Sequence, residues 1–580
     1  MTPHQDGASG TKGAESVSGS FASLPFLWSW GLLLILSFYR APIPGINEPH
    51  YLTKAKHLWD SGFCPGDFFL DSSNPHLIFY VAIGWLTTFC SLTTTAIVGR
   101  IVALGLLAWG WDLASRHWLR NGACRVVAVL LFVFAANLGT LAGEWIIGGI
   151  ESKVFAYGLL LGSAGLWRMG NLLRAATLAG LAVSFHPVVA GWWLIALLIG
   201  QALKWSLDAG LRRWWQRPRQ PVDGALKQET IGHKVPLRTY GVVGLVGLLT
   251  ALPGLLPALM ILGGDPALSK EANLIQLKWR LGHHIDPLLF PARMWQFYGV
   301  MLGAWLMLLA ASAIWRRSAN GNSVAEDNSG GMESASLAGL CWFTLGALVI
   351  AASGAAVGFS EQWLPTDFAE KLRLALLKFY FFRLADVALP AALSVTAVWW
   401  LDRWLTRFDS NSRRHTCLGV CLLIAAIAVG VTTERDMSDG LGFQPDPAFA
   451  QAELDRLAAE KRQQWIEVCD WIRTSTPPDA VVVATSLDTS WAVKWFAERT
   501  EFFSFKDCPQ EPAGIVEWWQ RRHLIAKWRQ EAKKDGTVTI AELQELHALT
   551  GIDYLLVTRF GPVEAPAAYE HGPFKVIPIP

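Results

Sequence analysis

The stretch that decides the fold class lies near the start of the chain. Residues 21–51 read FASLPFLWSWGLLLILSFYRAPIPGINEPHY. The apolar run 21–39 approaches the length that crosses the hydrocarbon core of a bilayer, and a proline-rich turn with Asn47 and Glu48 follows it. An acidic residue at the exit of a first membrane span, opening a long loop rich in aromatic residues, predicts a functional site at the membrane surface.

The composition extends this prediction to the whole chain. Hydrophobic residues make up 52% of the 580 residues, charged residues make up 17%, and the mean hydropathy is +0.31. Soluble proteins carry about 25% charged residues, so we expect an α-helical polytopic membrane protein embedded in a lipid bilayer. We predict no nucleic-acid partner. Eight cysteines without a CxxC pair argue against a zinc or disulfide scaffold. Whether Cys469 and Cys508 form a disulfide is left open by the sequence.

Eleven segments are apolar enough to be predicted as spans. They are 21–39, 96–113, 126–143, 153–167, 172–185, 188–203, 239–263, 294–315, 336–358, 380–401 and 415–433. The apolar run 76–93 is the remaining candidate. If it does not cross, the five basic clusters of the chain all fall on the side of the N-terminus, as the positive-inside rule requires. We therefore predict that 76–93 is a juxtamembrane helix in the first outer loop, 40–95.

The same orientation places the N-terminus and the basic loop 204–238 in the cytoplasm and the tail 434–580 outside. Residues 1–20, which are rich in Gly and Ser, are predicted to be a disordered tail. The membrane domain then covers 21–433. In the tail we predict helices at 447–475, 490–498, 512–533 and 540–549 and strands at 480–485, 501–505 and 554–558, which indicates a small α/β domain.

Ionisable and polar residues of the outer loops form the predicted site, because charge near membrane depth is costly and usually functional. The candidate acids are Glu48, Glu144 and Glu151. The candidate substrate-binding residues are Asn47, His50, Tyr51, Lys153, His186, Arg280, His283, His284, Lys378 and Arg383. Guanidinium and ammonium groups bind phosphate oxygens strongly, so Arg280, Lys378 and Arg383 are predicted phosphate partners.

Each candidate also has a structural interpretation. Glu48 could simply stabilise the N-terminus of the helix that follows it through its negative charge. Pro49, however, biases the backbone of Glu48 away from the helical region, which predicts that the acid lies at an exposed corner before the helix. Glu151 and Lys153 could be an ion pair at the end of a span, and His186-Pro187 could be a helix break. The basic residues could extend to the interface from span ends. His283-His284 has no third ligand at a diagnostic spacing, so no metal site is predicted there.

This layout resembles the GT-C glycosyltransferase superfamily, and in particular its mannosyltransferase and aminoarabinose-transferase branches. The resemblance covers most of 20–433 and rests on four features. They are the acidic motif after the first span, juxtamembrane helices at about 49–62 and 76–93, a basic inner turn at 116–125 and a soluble domain after the last span. The segments 471–480 and 496–499 also resemble tails of uncharacterised bacterial members.

The resemblance implies an enzyme that moves a sugar, with inversion, from a polyprenyl-phosphate donor to a glycan, lipid or protein acceptor on the outer face of a bacterial inner membrane. The role of general base would fall to Glu48, with Glu144 or Glu151 assisting. Relatives commonly carry an Asp-Glu pair where this chain has Asn47-Glu48, so a divalent cation is possible but a carboxylate doublet is missing. Two alternatives stay open: a transporter or flippase of a lipid-linked solute, and a catalytically inactive relative that acts in envelope assembly.

Overall fold

The computed structural model describes residues 23–45, 47–215, 236–261, 263, 265–319, 328–406, 410–433, 451–484, 492–534, 536–558 and 560–580. The predicted N-terminal tail, most of the basic loop 204–238 and the start of the predicted outer tail lie outside these residues. Up to residue 433 the described chain is helical. Its helices are α1 (Leu24–Arg40), α2 (Glu48–Trp59), α3 (Leu77–Gly84), α4 (Leu92–Ser115), α5 (Gly122–Leu138), α6 (Ser152–Arg168), α7 (Leu172–Phe185), α8 (Pro187–Trp215), α9 (Leu237–Ile261), α10 (Pro266–Ile275), α11 (Gly282–Ile285), α12 (Ala292–Ala319), α13 (Asn328–Gly358), α14 (Thr366–Leu376), α15 (Arg383–Leu405) and α16 (Asn411–Thr432).

A helix lies at each of the eleven predicted spans. Seven of these helices (α4, α8, α9, α12, α13, α15 and α16) are long and apolar enough to cross a membrane by length and composition. The other four, α1, α5, α6 and α7, have 14 to 17 residues. At 1.5 Å per residue they reach about 21–26 Å, which is less than the roughly 30 Å of hydrocarbon in a typical bilayer. The total of eleven spans stays a prediction.

The run 76–93 is not one helix. It forms α3, a 3₁₀ turn from Trp85 to Thr88 and a break before Ser91, whose hydroxyl caps α4. The apolar helical piece Leu77–Thr88 is therefore only 12 residues long, about 18 Å at the α-helical rise. This length is less than the roughly 30 Å of hydrocarbon in a typical bilayer, and the juxtamembrane position stays a prediction.

One end of the helical bundle gathers the predicted outer loops. Near this end Arg40 of α1 donates to Asn137 of α5 over 2.9 Å, and Asn137 donates to Thr433 after α16 over 2.9 Å. The first residues of α15 reach the same place, because both oxygens of Asp386 accept backbone N–H groups from Leu141 and Ala142 over 2.8 Å. The loops before α2, between α5 and α6 and before α15 therefore meet at one end of the bundle.

Helices α4 and α6, which carry important residues of this end, pack with their backbones close together. A Cβ atom added to Gly110 would lie 2.2 Å from the carbonyl oxygen of Gly158. Small residues allow this approach between apolar helices, which gains packing without a hydrophobic driving force in lipid. The tight α4–α6 pair fixes the position of the α6 N-terminus, where Glu151 and Lys153 lie.

Beyond residue 450 the chain is mixed. It contains α17 (Gln451–Ser475), β1 (Val481–Ala484), α18 (Val493–Phe496), β2 (Thr500–Glu501), α19 (Pro512–Glu531), α20 (Ile540–Thr550), β3 (Tyr554–Val557), β4 (Tyr569–His571) and β5 (Phe574–Pro578). The sheet order is β2-β1-β3-β5-β4, with β2, β1 and β3 parallel and β5 antiparallel to both β3 and β4.

The predicted α/β pattern of the tail agrees with these elements, with two corrections. The predicted strand 501–505 is replaced by the two-residue β2, which shares only Glu501 with it. The hairpin of β4 and β5 was not predicted. Cys469 and Cys508 are both buried free thiols, so the disulfide left open above is not formed.

Candidate functional site

The acid that the sequence singles out, Glu48, lies in a saturated ion pair. Its side chain is fully buried and faces Arg100 of α4, whose Nε and Nη2 donate to Oε1 and Oε2 over 2.6 and 2.7 Å. The backbone N–H of Gly45 donates to Oε2 over 2.7 Å, and that of Ile150 donates to Oε1 over 2.9 Å. A carboxylate has about four lone-pair positions, and here four donors occupy them.

This arrangement corrects the prediction of an exposed corner. Glu48 is the first residue of α2 instead of an acid in front of it, since Pro49 is tolerated in the first turn of a helix. The loop between α5 and α6 closes over the pair, and a Cβ atom on Gly149 would lie 2.7 Å from Cγ of Glu48. In this geometry Glu48 has no lone pair available to take a proton from a substrate, and it joins α2, α4 and the 139–151 loop.

A second group of charges lies beside this pair and is organised differently. Lys153 of α6 stands between two acids, 3.1 Å from Glu151 and 3.6 Å from Glu144. Nε of Arg383, at the start of α15, is 3.5 Å from Glu144. The hydroxyl of Tyr157 donates to Glu144 over 3.4 Å. These contacts are longer than those around Glu48, so the charges attract one another without being fully hydrogen-bonded.

Glu151 is the most available acid of the group. Its side chain is 12% exposed, against 2% for Glu144. One oxygen accepts from the Asn47 amide over 3.0 Å and the other faces Lys153, so about two of its four lone-pair positions stay open. Burial opposes ionisation, but Lys153 and Asn47 outweigh it and lower the pKa of Glu151. The group is therefore a carboxylate at neutral pH, in the form that accepts a proton.

Arg383 is the least satisfied cation of the group. Its guanidinium donates no hydrogen bond to the described residues, and its Nε is buried without a partner of good geometry. The ring of Tyr380 lies 3.6 Å from its central carbon. Tyr380 adopts a left-handed backbone with φ of 58°, which costs a non-glycine residue roughly 1–2 kcal/mol. Strain of this kind, beside a cation that donates no hydrogen bond to the described residues, is typical of a binding site.

The predicted histidines surround the same place. His186 packs against His76 with ring centroids 4.9 Å apart, and Tyr51 lies 5.6 Å from His76. The charge of Arg383 acts on His76 and on His284, whose Nδ1 is 2.7 Å from the carbonyl oxygen of Ala142. The structure thus brings Asn47, Tyr51, His186 and His284 towards the group formed by Glu144, Glu151, Lys153 and Arg383.

Three predicted site residues lie further out. Arg280 donates to the carbonyl oxygen of Lys506 over 3.0 Å and lies over the ring of Phe505. Lys378 donates to Asn273 over 3.2 Å. His283 is exposed and contacts its neighbour His284, with ring centroids 4.0 Å apart. Among the described residues, neither Arg280 nor Lys378 makes an ion pair with an acid of the site.

The position where the GT-C enzymes that this chain resembles carry an acidic doublet does not fit a divalent cation here. The side-chain amide of Asn47 donates a hydrogen bond to Glu151. The oxygens of Glu48 already accept hydrogen bonds from Arg100 and from two backbone N–H groups. Among the described residues, no group of three or more His, Cys, Asp or Glu side chains has a geometry that holds a metal ion. We therefore assign no step to a metal.

Sequence reasoning missed Arg100 and His76, and it named Asp386 among the outer-face charges without a role. Arg100 carried the clearest signal, because an arginine inside an apolar helix requires a buried partner. Asp386 anchors the 141–144 backbone and has the same signal near the start of α15. His76 lies far from His186 in the sequence, and only the packing of α3 against the α7–α8 junction brings the two together.

Comparisons with known proteins are limited. A family model described as "Domain of unknown function (DUF6798)" matches residues 463–525, which is less than half of the chain. The comparison with curated proteins gave no match. Among solved structures, the chain is similar to the Archaeoglobus fulgidus oligosaccharyltransferase in complex with Zn and sulfate. The TM-score is 0.32 with 11% identity, over 91% of this chain and 68% of that one. A TM-score this low supports no assignment of fold or activity.

Proposed function

We propose that this protein is a membrane glycosyltransferase. It would transfer a sugar from a polyprenyl-phosphate donor to a hydroxyl of a glycan, lipid or protein acceptor, on the extracytoplasmic face of a bacterial inner membrane. The observation that carries the proposal is an incompletely hydrogen-bonded carboxylate, Glu151, that pairs with Lys153 beside the Glu144–Arg383 pair, at one end of an apolar helical bundle. The layout resemblance stated above gives the reaction class.

The chemistry needs a base and a stabilised leaving group. Glu151 would take the proton of the acceptor hydroxyl as that oxygen attacks the anomeric carbon from the face opposite the phosphate. The bond from the anomeric carbon to the phosphate oxygen then breaks with inversion, and the polyprenyl phosphate leaves with the electron pair. Glu144 is less suited to be the base, because its side chain is only 2% exposed.

Arg383 and Lys153 would receive the charge that develops on the departing phosphate. Arg383 suits this role because its nitrogens donate no hydrogen bond within the described residues, so binding an anion would satisfy it. A guanidinium matches two phosphate oxygens at once. Glu144 would keep both cations in place, since it is 3.5–3.6 Å from each. The lipid chain would lie along the apolar helices.

The test is sugar transfer by purified full-length protein with a panel of polyprenyl-phosphate-linked hexoses and pentoses. We expect turnover of at least one donor, an activity lower by about 10²–10⁴-fold for Glu151→Gln, and partial recovery for Glu151→Asp. Glu370→Gln is the control, because Glu370 forms an exposed ion pair with Lys278 far from the proposed base. Full activity of Glu151→Gln would remove Glu151 from the mechanism.

One observation favours a second candidate, the inactive relative. The acid at the position where the resemblance places the base is saturated by Arg100, and Asn47 replaces the other acid of the doublet. A protein of this kind would bind the lipid-linked donor without turning it over. Donor binding that depends on Arg383, combined with no transfer to any acceptor, would support this candidate. Vectorial movement of the donor across vesicles would instead support a flippase.

A further inference from the structure

The first outer loop and the C-terminal region meet at a buried network of charges. Nδ1 of His50 in α2 is 3.0 Å from Oδ1 of Asp507, and these side chains are 18% and 11% exposed. The other oxygen of Asp507 lies 2.7 Å from the ammonium of Lys494. Asp507 and Lys494 both fall within 463–525, the segment that the family model matches. The network therefore connects a candidate site residue to the C-terminal region.

Lys494 holds Asp507 in place. Its side chain is 3% exposed, and it also pairs with Glu501 over 2.9 Å and with Asp67 over 3.3 Å. Asp67 is itself fixed, because its Oδ1 accepts the backbone N–H groups of Phe69 and Leu70 over 3.1 and 3.0 Å. Burial raises the pKa of Glu501 to about 8, so at neutral pH the Lys494 ammonium lies between the carboxylates of Asp67 and Asp507 and the protonated Glu501. This cluster is a rigid element, since removing either carboxylate weakens the compensation of a buried charge.

The state of Asp507 decides the tautomer of His50. Burial opposes ionisation of Asp507, but Lys494 and His50 outweigh it and lower its pKa, so the group is a carboxylate. Burial also lowers the pKa of His50, against the pull of Asp507, so its imidazole is neutral at pH 7. A carboxylate only accepts hydrogen bonds, so Nδ1 of His50 carries the proton and Nε2 carries a lone pair.

Nε2 of His50 is free to accept a hydrogen bond, since it has no partner among the described residues and the side chain is partly exposed. His50 lies three residues after Asn47, the residue before α2, and Asn47 donates to Glu151. His50 and Glu151 both act electrostatically on His76, so His50 and the proposed base lie around the same histidine. Arg280, which lies further out, also acts on His50 electrostatically.

We infer that His50 binds a hydroxyl group of the sugar or of the acceptor through Nε2, and that Asp507 and Lys494 are positioning residues for it. This inference rests on the proposed function and adds a substrate class to it, a polyol held beside Glu151. It also gives the 463–525 segment a role, which is to complete the site from the C-terminal side.

The tautomer is measured directly by ¹⁵N NMR of histidine-labelled full-length protein in nanodiscs, with the His50 signals assigned from their loss in His50→Asn. We expect protonated Nδ1 and unprotonated Nε2 in the wild type. Asp507→Asn should change this pattern, because the amide can donate to Nδ1, and Asp507→Glu should restore it. The control is Glu498→Gln, which breaks the Lys56–Glu498 pair between the same two regions. An unchanged His50 spectrum in Asp507→Asn would overturn the inference.

The second arm measures transfer with any polyprenyl-phosphate donor that the wild type uses. One lost hydrogen bond to substrate corresponds to roughly a tenfold higher KM, so we expect that increase in Asp507→Asn and in His50→Asn. The melting temperature should stay close to that of the wild type in His50→Asn and fall in Asp507→Asn, which removes a charge partner of the buried Lys494. His50→Asn leaves the Lys494 cluster intact and covers the case in which Asp507→Asn misfolds. Unchanged KM in folded His50→Asn would overturn the inference and leave the proposed function standing. No turnover by the wild type would overturn both.

Discussion

Two groups of acids and cations lie side by side at one end of this protein, and they are built in opposite ways. The Glu48–Arg100 pair has four hydrogen bonds of 2.6–2.9 Å on its carboxylate and no exposed surface. In the Glu144–Glu151–Lys153–Arg383 group the charges are 3.1–3.6 Å apart and part of their surface is open. A saturated buried pair holds helices together, whereas an incompletely satisfied group has capacity left for a ligand. The position of an acid in the sequence does not show whether it is structural or can bind a ligand. The number of hydrogen-bond donors around its carboxylate does.

The largest expected effect comes from breaking the saturated pair. Arg100→Met leaves Glu48 buried without its charge partner, and such a loss costs about 3–5 kcal/mol of folding free energy. We expect a strongly reduced yield of folded protein and a lower melting temperature in detergent. Glu48→Gln in the Arg100→Met background removes the unpaired charge and should recover at least half of the loss. A melting temperature unchanged in Arg100→Met would show that the pair is not structural.

The next effect concerns the open group. Arg383→Gln should weaken binding of a polyprenyl-phosphate donor by about 1.5–3 kcal/mol, the contribution of a hydrogen bond to a charged group. Lys378→Gln serves as a matched control, because Lys378 bonds to Asn273 and makes no ion pair with the acids of the site among the described residues. Isothermal titration in nanodiscs measures both. Equal losses in the two variants would mean that the phosphate site is wider than the group described above.

A smaller effect follows from the histidines around the open group. Burial, with a contribution from nearby positive charge, lowers the pKa of His76 to about 3, well below the usual value near 6.5. Above pH 6.5 the imidazole of His76 is unprotonated in both the folded and the unfolded protein, so this group does not lower the free energy of unfolding. As the pH falls below 6.5 the unfolded chain binds a proton that the folded protein excludes, so stability falls by about 1.4 kcal/mol per pH unit.

Thermal melts at pH of about 7.5, 6 and 5 test this dependence. His76→Asn should flatten the decline, provided that the variant folds. His523→Asn provides the control, because His523 is an exposed histidine on α19. A decline of equal slope in wild type and His76→Asn would assign the acid sensitivity to other groups.

Much of the helical architecture could be predicted from the sequence, because apolar runs identify buried or membrane-embedded helices without knowledge of their neighbours. A helix lies at each of the eleven predicted segments, and 76–93 has a short apolar helix, whose juxtamembrane position stays a prediction. The hairpin of β4 and β5 was missed. Its strands are short and follow a turn-rich stretch, so they carry little periodicity.

The candidate site was predicted less well, for a physical reason. The sequence shows that Glu48 is an acid near a span end, but it does not show that Arg100, 52 positions later, turns towards it. Partners of this kind are set by helix packing, here by the close contact of α4 with α6 and by the loop that brings Ile150 over the acid. Glu151, Lys153 and Arg383 were among the candidates, but their convergence also depends on that packing.

The most direct test of the account is the transfer rate per folded molecule for Glu48→Gln and for Glu151→Gln, measured side by side with a donor that the wild type uses. The account predicts that Glu151→Gln melts like the wild type and is slower by about 10²–10⁴-fold. Glu48→Gln should melt at a lower temperature, while its folded fraction keeps a rate within about threefold of the wild type, less than one lost hydrogen bond would cost. A stable Glu48→Gln without activity, together with an active Glu151→Gln, would contradict the account and return the role of base to Glu48.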